Sequence, residues 1–221
     1  MSFLFQNRAQ AGRLLAAKLE SYAGRSGLIV LGLPRGGVPV ACEVAARLKA
    51  PLDVFLVRKL GVPGHEELAL GAVAGGGVCC FNDAVLKSCH IPRRVLDKII
   101  GRERKELERR EQACRVGRPP SLRGRTIILV DDGLATGASM RAAVLAARAQ
   151  QPAWIVAAAP VAAGGTLEQL RQEADAAVCV QTPENFSSVG EWYADFEQTT
   201  DEEVRQLLEK ARSEMGCGVA P

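Results

Sequence analysis

Two adjacent carboxylates, Asp131 and Asp132, stand between an apolar run, Ile127-Ile128-Leu129-Val130, and a run of small residues, Gly133-Leu134-Ala135-Thr136-Gly137-Ala138-Ser139. Neighbouring acids repel each other unless a cation or a set of hydroxyl groups occupies them. The four apolar residues read as a buried strand, and in open α/β sheets ligands bind beyond the carboxyl ends of such strands. Small residues opening a helix let backbone N–H groups approach an anion, and the helix N-terminus adds a favourable partial charge. Ala135, Thr136, Gly137, Ala138 and Ser139 therefore suit a phosphate, and Asp131 and Asp132 suit a metal ion or a diol. One ligand carrying both groups satisfies the whole stretch. A turn and a helix cap explain either half alone, but not both in this order.

A second loop, Gly32-Leu33-Pro34-Arg35-Gly36-Gly37, lies between an apolar run at 28–33 and a helix expected from about 38. A guanidinium flanked by Gly36 and Gly37 at a helix N-terminus is suited to a second phosphate group. The plain alternative is a helix-opening turn with an exposed arginine. A third cationic pair, Arg58-Lys59, ends the next expected strand and leads into Gly61-Val62-Pro63-Gly64-His65-Glu66-Glu67. His65 and Glu66 receive no role from the sequence. No glycine loop ends in G-K-[ST], and no G-x-G-x-x-G follows a strand, which disfavours a P-loop nucleotide site and an ordinary dinucleotide site. No catalytic triad is present, and the chemistry suggested above needs none.

The elements that position these loops alternate between helix and strand periodicity, which predicts α/β: an open, mostly parallel twisted sheet flanked by helices. Expected strands cover 28–33, 52–58, 126–130, 154–159 and 176–180. Expected helices cover 8–22, 38–49, 92–114, 138–151, 167–173 and 201–215. Gly75-Gly76-Gly77 between apolar runs at 68–74 and 78–81 predicts a β-hairpin, and 61–67 reads as a polar loop. The helix at 92–114 interleaves its charges, with Arg102–Glu106 and Glu106–Arg110 at i,i+4, so it reads as a solvated face rather than a nucleic-acid helix. Residues 117–121 form a Pro/Gly-rich link, and 182–200 is irregular, holding Phe186, Trp192, Tyr193 and Phe196.

The 221 residues suit one domain, 1–221, and 48% hydrophobic content supports a core. Twenty-eight basic against 25 acidic residues leave a net charge of +3, too mild to argue for nucleic acid. Seven cysteines show no disulfide or zinc spacing; Cys79, Cys80, Cys89 and His90 read as buried thiols and a lone imidazole before they read as ligands. The longest apolar stretch, 152–163, falls short of the ~18 residues that a membrane span requires. The first 12 residues hold no apolar signal core. The expectation is a cytoplasmic, soluble protein.

The stretch 127–139 resembles the phosphoribosylpyrophosphate signature of the type I phosphoribosyltransferases over its full length. The resemblance implies that Asp131 and Asp132 bind the ribose 2- and 3-hydroxyls, directly or through Mg²⁺, and that Ala135 to Ser139 wrap the 5-phosphate. Pro34-Arg35-Gly36-Gly37 is similar to the family's pyrophosphate loop, which implies a cis peptide between Pro34 and Arg35. Arg58 and Lys59 match, in type, the catalytic loop that closes over the substrate; with Arg35 they are the expected catalytic residues. The implied reaction displaces pyrophosphate from phosphoribosyl pyrophosphate by a small planar, nucleobase-like acceptor. The implied architecture is a core at about 28–180, with a flexible loop and a small hood from about 1–27 and 181–221, assembled as a homodimer. Ala135 departs from the 6-oxopurine branch, which carries an Asp there, and this counts against hypoxanthine or guanine. The alternatives are a non-catalytic regulatory protein that binds the same ligand, or a hydrolase that passes the phosphoribosyl group to water. Arg35, Arg58 and Lys59, together with room for only one helix ahead of residue 28, favour an enzyme.

Overall fold

The computed structural model describes residues 3–89, 91–114 and 119–216. His90, Cys217 and the first two residues of the expected link at 117–121 lie outside the described residues, as do the side chains at 65–69. Five parallel strands form the main sheet in the order β2-β1-β6-β7-β8: β1 (Leu28–Gly32), β2 (Leu52–Val54), β6 (Thr126–Val130), β7 (Trp154–Val161) and β8 (Ala176–Gln181). The central strands are apolar throughout because both sheet faces are covered. Val30, Ile128, Val156 and Ala158 face a cluster with α1 (Arg8–Lys18), α2 (Gly37–Leu48) and α7 (Asp201–Gly216). Ile29, Leu31, Ile127, Leu129, Ile155 and Ala157 face the opposite cluster with α5 (Ala138–Arg148) and α6 (Gly164–Glu173). This two-residue alternation is the strand period expressed in burial.

The chain leaves β1 towards β2 on one side and leaves β6 towards β7 and β8 on the other. The crevice outside the carboxyl ends of β1 and β6 is thus the switch point at which open α/β sheets bind ligands. The in-register pairing of Gly32 with Val130 places the loops that follow these two strands side by side.

A second, antiparallel sheet consists of β3 (Val57–Val62), β4 (His65–Ala74) and β5 (Cys79–Phe81). The hairpin expected at Gly75–Gly77 is present, as a short 3-10 turn joining β4 to β5. Two expectations are corrected. The single strand over 52–58 is two strands, because the chain crosses between sheets at Phe55 and Leu56, with Val54 paired to β1 and Val57 to β4. The polar loop at 61–67 is mostly strand, turning at Pro63 and Gly64, where Gly64 takes φ +78°. Register shifts at Leu60/Gly61 and Gly61/Val62 twist this hairpin, and the glycine that permits them also disguised the strand as a loop. The short helix α3 (Asp83–Cys89) was not foreseen, and α4 (Arg93–Cys114) runs as expected.

The segments about 3–7 and 182–200 meet: Phe5 bridges Tyr193, its amide donating to the Trp192 carbonyl at 2.9 Å. Phe5 and Tyr193 are buried, with ring centroids 5.4 Å apart. The last helix, α7, inserts Val204 and Leu208 into the core cluster that holds α2. No described helix is long and apolar enough to cross a membrane.

Candidate active site

The loops after β1 and β6 are packed backbone to backbone. The Leu33 amide donates to the Val130 carbonyl at 2.8 Å. A Cβ on Gly37 would fall 2.5 Å from that same carbonyl oxygen, and one on Gly36 would collide with the Asp132 carboxylate. Glycine is required at both positions by close approach, not by an unusual φ. The Pro34–Arg35 peptide is cis, as the loop's resemblance implied.

Asp131 and Asp132 project from the end of β6, the Asp132 amide donating to Asp131 Oδ1 at 2.9 Å. Burial, then the neighbouring Asp132 charge, raises the Asp131 carboxyl well above the usual carboxylate range. Burial also raises Asp132, against the opposing pull of Arg8. Arg8 Nε donates to Asp132 Oδ2 at 2.8 Å, and its guanidinium lies 4.0 Å from the Phe196 ring centroid. The Tyr193 hydroxyl donates to the Asp132 carbonyl, and burial pushes the phenol pKa upward. One of two crowded acids is thus neutralised by a protein cation and the other is not. Among the described residues no group of three His, Cys, Asp or Glu side chains could hold a metal by itself. Two carboxylates fit Mg²⁺ only with oxygens from a bound ligand, which is how Mg²⁺ is commonly held.

Downstream, Gly137 takes φ +67°, and a Cβ there would meet Thr166 Cγ2 at 2.5 Å. Thr166 Oγ1 donates to the Ala135 carbonyl at 2.6 Å, pinning the loop to α6, while the Ala138 amide donates to Thr136 Oγ1 at 3.4 Å. Among the described residues, the amides of Ala135, Thr136 and Gly137 reach no backbone acceptor. N–H groups left open among small residues at the N-terminus of α5 are suited to an anion.

A cavity of about 370 Å³ is bordered by Pro34, Arg58, Lys59, Arg110, Asp131, Ala138 and Ser139, whereas Asp132, Ala135, Gly137, Gly36 and Gly37 do not line it and Thr136 borders a neighbouring cavity. Arg58 is held from outside, donating to the buried Glu103 of α4 through Nε at 2.8 Å and Nη2 at 2.7 Å. Arg35 borders an adjoining cavity instead, 3.9 Å from Asp201. Arg8, Glu103 and Arg110 were not singled out from the sequence as site residues, and Tyr193 was noted only among the aromatics of 182–200. Arg8 and Tyr193 carry no local signal, lying 124 and 61 residues from Asp132. Glu103 does carry one, since it falls on the stripe of Leu96, Leu107 and Cys114, the buried side of α4. The helix is therefore not solvated all round, and Arg102 pairs with Glu103 rather than Glu106. Glu106 pairs with Arg110 as expected, at 2.9 Å. Of the aromatics at 182–200, Tyr193 is buried against Phe5, and the buried Trp192 Nε1 finds no acceptor among the described residues.

A phosphoribosyl transferase domain model matches residues 4–196. Two Mycobacterium tuberculosis proteins, from strains H37Rv and CDC 1551, named as candidate phosphoribosyl transferases, are each 45% identical over 209 residues, 94% of this chain and 47% of theirs. The chain thus spans about half the length of these curated relatives. The crystal structure of TT1426 from Thermus thermophilus is 43% identical, covers 95% of this chain and 99% of its own, and superposes with a TM-score of 0.87. AQ2163 of Aquifex aeolicus shares the fold at 12% identity and a TM-score of 0.50, over 83% of this chain and 78% of its own. With the matched domain covering most of its length and the acid pair and small-residue cradle within it, this chain belongs to the type I phosphoribosyltransferase family.

Proposed function

We propose that this chain transfers the phosphoribosyl group of phosphoribosyl pyrophosphate to a small planar acceptor, releasing pyrophosphate in a Mg²⁺-dependent reaction. The observation that carries the reading is the convergence on one cavity of Asp131, the N-terminal end of α5 at Ala138 and Ser139, and the cations Arg58 and Lys59. The amides of Ala135 to Gly137 would hold the 5-phosphate, with Ala138 and Ser139 at the helix opening and the Thr136 and Ser139 hydroxyls as further donors. Asp131 and Asp132 would accept from the ribose hydroxyls and supply the protein's carboxylates to Mg²⁺. The bound ion would polarise the ligand's oxygens and fix their orientation.

Displacement at the anomeric carbon develops positive charge on the ribose and negative charge on the departing diphosphate. Such a reaction is accelerated by positioning and charge neutralisation and needs no covalent nucleophile. Arg58 and Lys59 border the cavity from β3, so the hairpin β3–β4 is suited to bring cations to the leaving group and to exclude water. Gly36 and Gly37 allow the pyrophosphate loop its close approach to the acids. Ala135 stands where the 6-oxopurine branch carries an Asp, which counts against hypoxanthine or guanine as the acceptor.

The direct test measures pyrophosphate release from phosphoribosyl pyrophosphate and Mg²⁺ against a panel of nucleobases, with an acceptor-free control. Release that depends on one base is expected. Equal release without any base would make the protein a hydrolase, and ligand binding without release for every base would make it a regulatory binder.

A further inference from the structure

The helix α4 contributes a residue that the phosphoribosyltransferase reading does not use. Beside the 370 Å³ cavity lies a second, of about 230 Å³, bordered by Arg35, Arg109, Arg110 and Asp201. Pro34, Leu56 and Arg110 border both cavities. The wall that the two cavities share therefore consists of the pyrophosphate loop at Pro34, Leu56 and the Arg110 side chain.

The two cavities differ in their cations. In the first, Arg58 is committed to Glu103, a buried acid that holds it through two donors. The second is bordered by three guanidiniums and one acid, Asp201. Arg35 makes only a loose 3.9 Å contact with Asp201, while Arg109 and Arg110 share Glu106, each at 2.9 Å. The hydrogen bonds from Arg109 and Arg110 push the Glu106 carboxyl down to about 2, but these pairs face solvent and cost little to exchange for a phosphate. Burial pushes the Cys114 thiol up to about 11, so no thiolate adds negative charge beside them. A guanidinium offers two parallel donors that match a phosphate better than a carboxylate shared with another arginine. The Glu103–Arg58 pair fixes α4 to the hairpin, so the arginines stand on a helix whose position is set.

Resting on the reading that the site takes phosphoribosyl pyrophosphate, we propose that Arg110 is a ligand of its diphosphate. Arg110 exchanges Glu106 for the phosphate, and the end remote from the ribose lies in the second cavity between Arg35 and Arg109. The solvated helix is thereby a wall of the leaving-group subsite.

Calorimetric titration of wild type, R110Q and R110K with Mg²⁺ and three probes tests this: phosphoribosyl pyrophosphate, inorganic pyrophosphate and ribose 5-phosphate. R110Q should weaken the two diphosphate probes by at least ~10-fold, the loss of one charged hydrogen-bonding partner, and leave ribose 5-phosphate affinity unchanged. R110K should fall between, keeping the charge without the fork. Unchanged diphosphate affinity in R110Q overturns the assignment, and so does equal weakening of all three probes, which marks a general structural effect. If wild type binds neither sugar phosphate, the site reading itself fails and the assignment falls with it, a result distinct from the other two.

Discussion

The carboxyls of Asp131 and Asp132 are crowded, largely enclosed and served by one cation, Arg8. In metal-free protein the ionised Asp131 is therefore a source of instability that a bound cation would relieve. Its folded pKa lies above the unfolded one, so between the two values the native state holds the extra proton, and stability falls as pH rises through that window. Asp131→Asn removes the charge while its side-chain oxygen can still accept from the Asp132 amide. In metal-free buffer at neutral pH the variant should be stabler by about 0.5–2 kcal/mol, a few degrees in Tm, with the gain vanishing as pH falls into the ordinary carboxylate range. A variant that melts lower than wild type at neutral pH would show that the Asp131 charge is structurally satisfied. The acids and the loop to Ser139 were legible because nine consecutive residues carry them. Arg8 was not, because its bond to Asp132 exists only once α1 is folded against the sheet.

At the scale of elements, the hairpin β3–β4 and the helix α4 form one unit around Glu103. Arg58 and Lys59 project from β3, whereas the sequence placed them at the end of a strand running on from Leu52. The β2–β3 split was hidden because Leu52-Asp53-Val54-Phe55-Leu56-Val57 is apolar at five of six positions, and periodicity cannot reveal a change of sheet inside such a run. The hairpin at Gly75–Gly77 was legible because three glycines interrupt two apolar runs. If the β3 cations act on the departing diphosphate, their contacts tighten as charge develops. Arg58→Ala or Lys59→Ala should then lower kcat on the order of 10²-fold with a smaller change in ligand affinity. Steady-state kinetics beside equilibrium titration checks this, and a rise in KM at constant kcat would assign both residues to ground-state binding only.

Over the whole molecule, the parallel sheet sets the switch point, the antiparallel sheet with α4 closes one side of it, and the Phe5–Tyr193 cluster closes the other through Arg8 and Asp132. Alternating periodicity foretold the layers, since both faces of β1, β6 and β7 had to be covered. The joining of residue 5 to residue 193 followed only by resemblance, as no local pattern pairs segments so far apart. The measurement that tests the account most directly is calorimetric titration of phosphoribosyl pyrophosphate, with and without Mg²⁺, into wild type and the Asp131→Asn, Asp132→Asn double variant. The account predicts Mg²⁺-dependent binding by wild type and its loss in a variant that remains folded. Equal affinity in the two proteins would contradict the placement of the ribose and metal at these carboxylates.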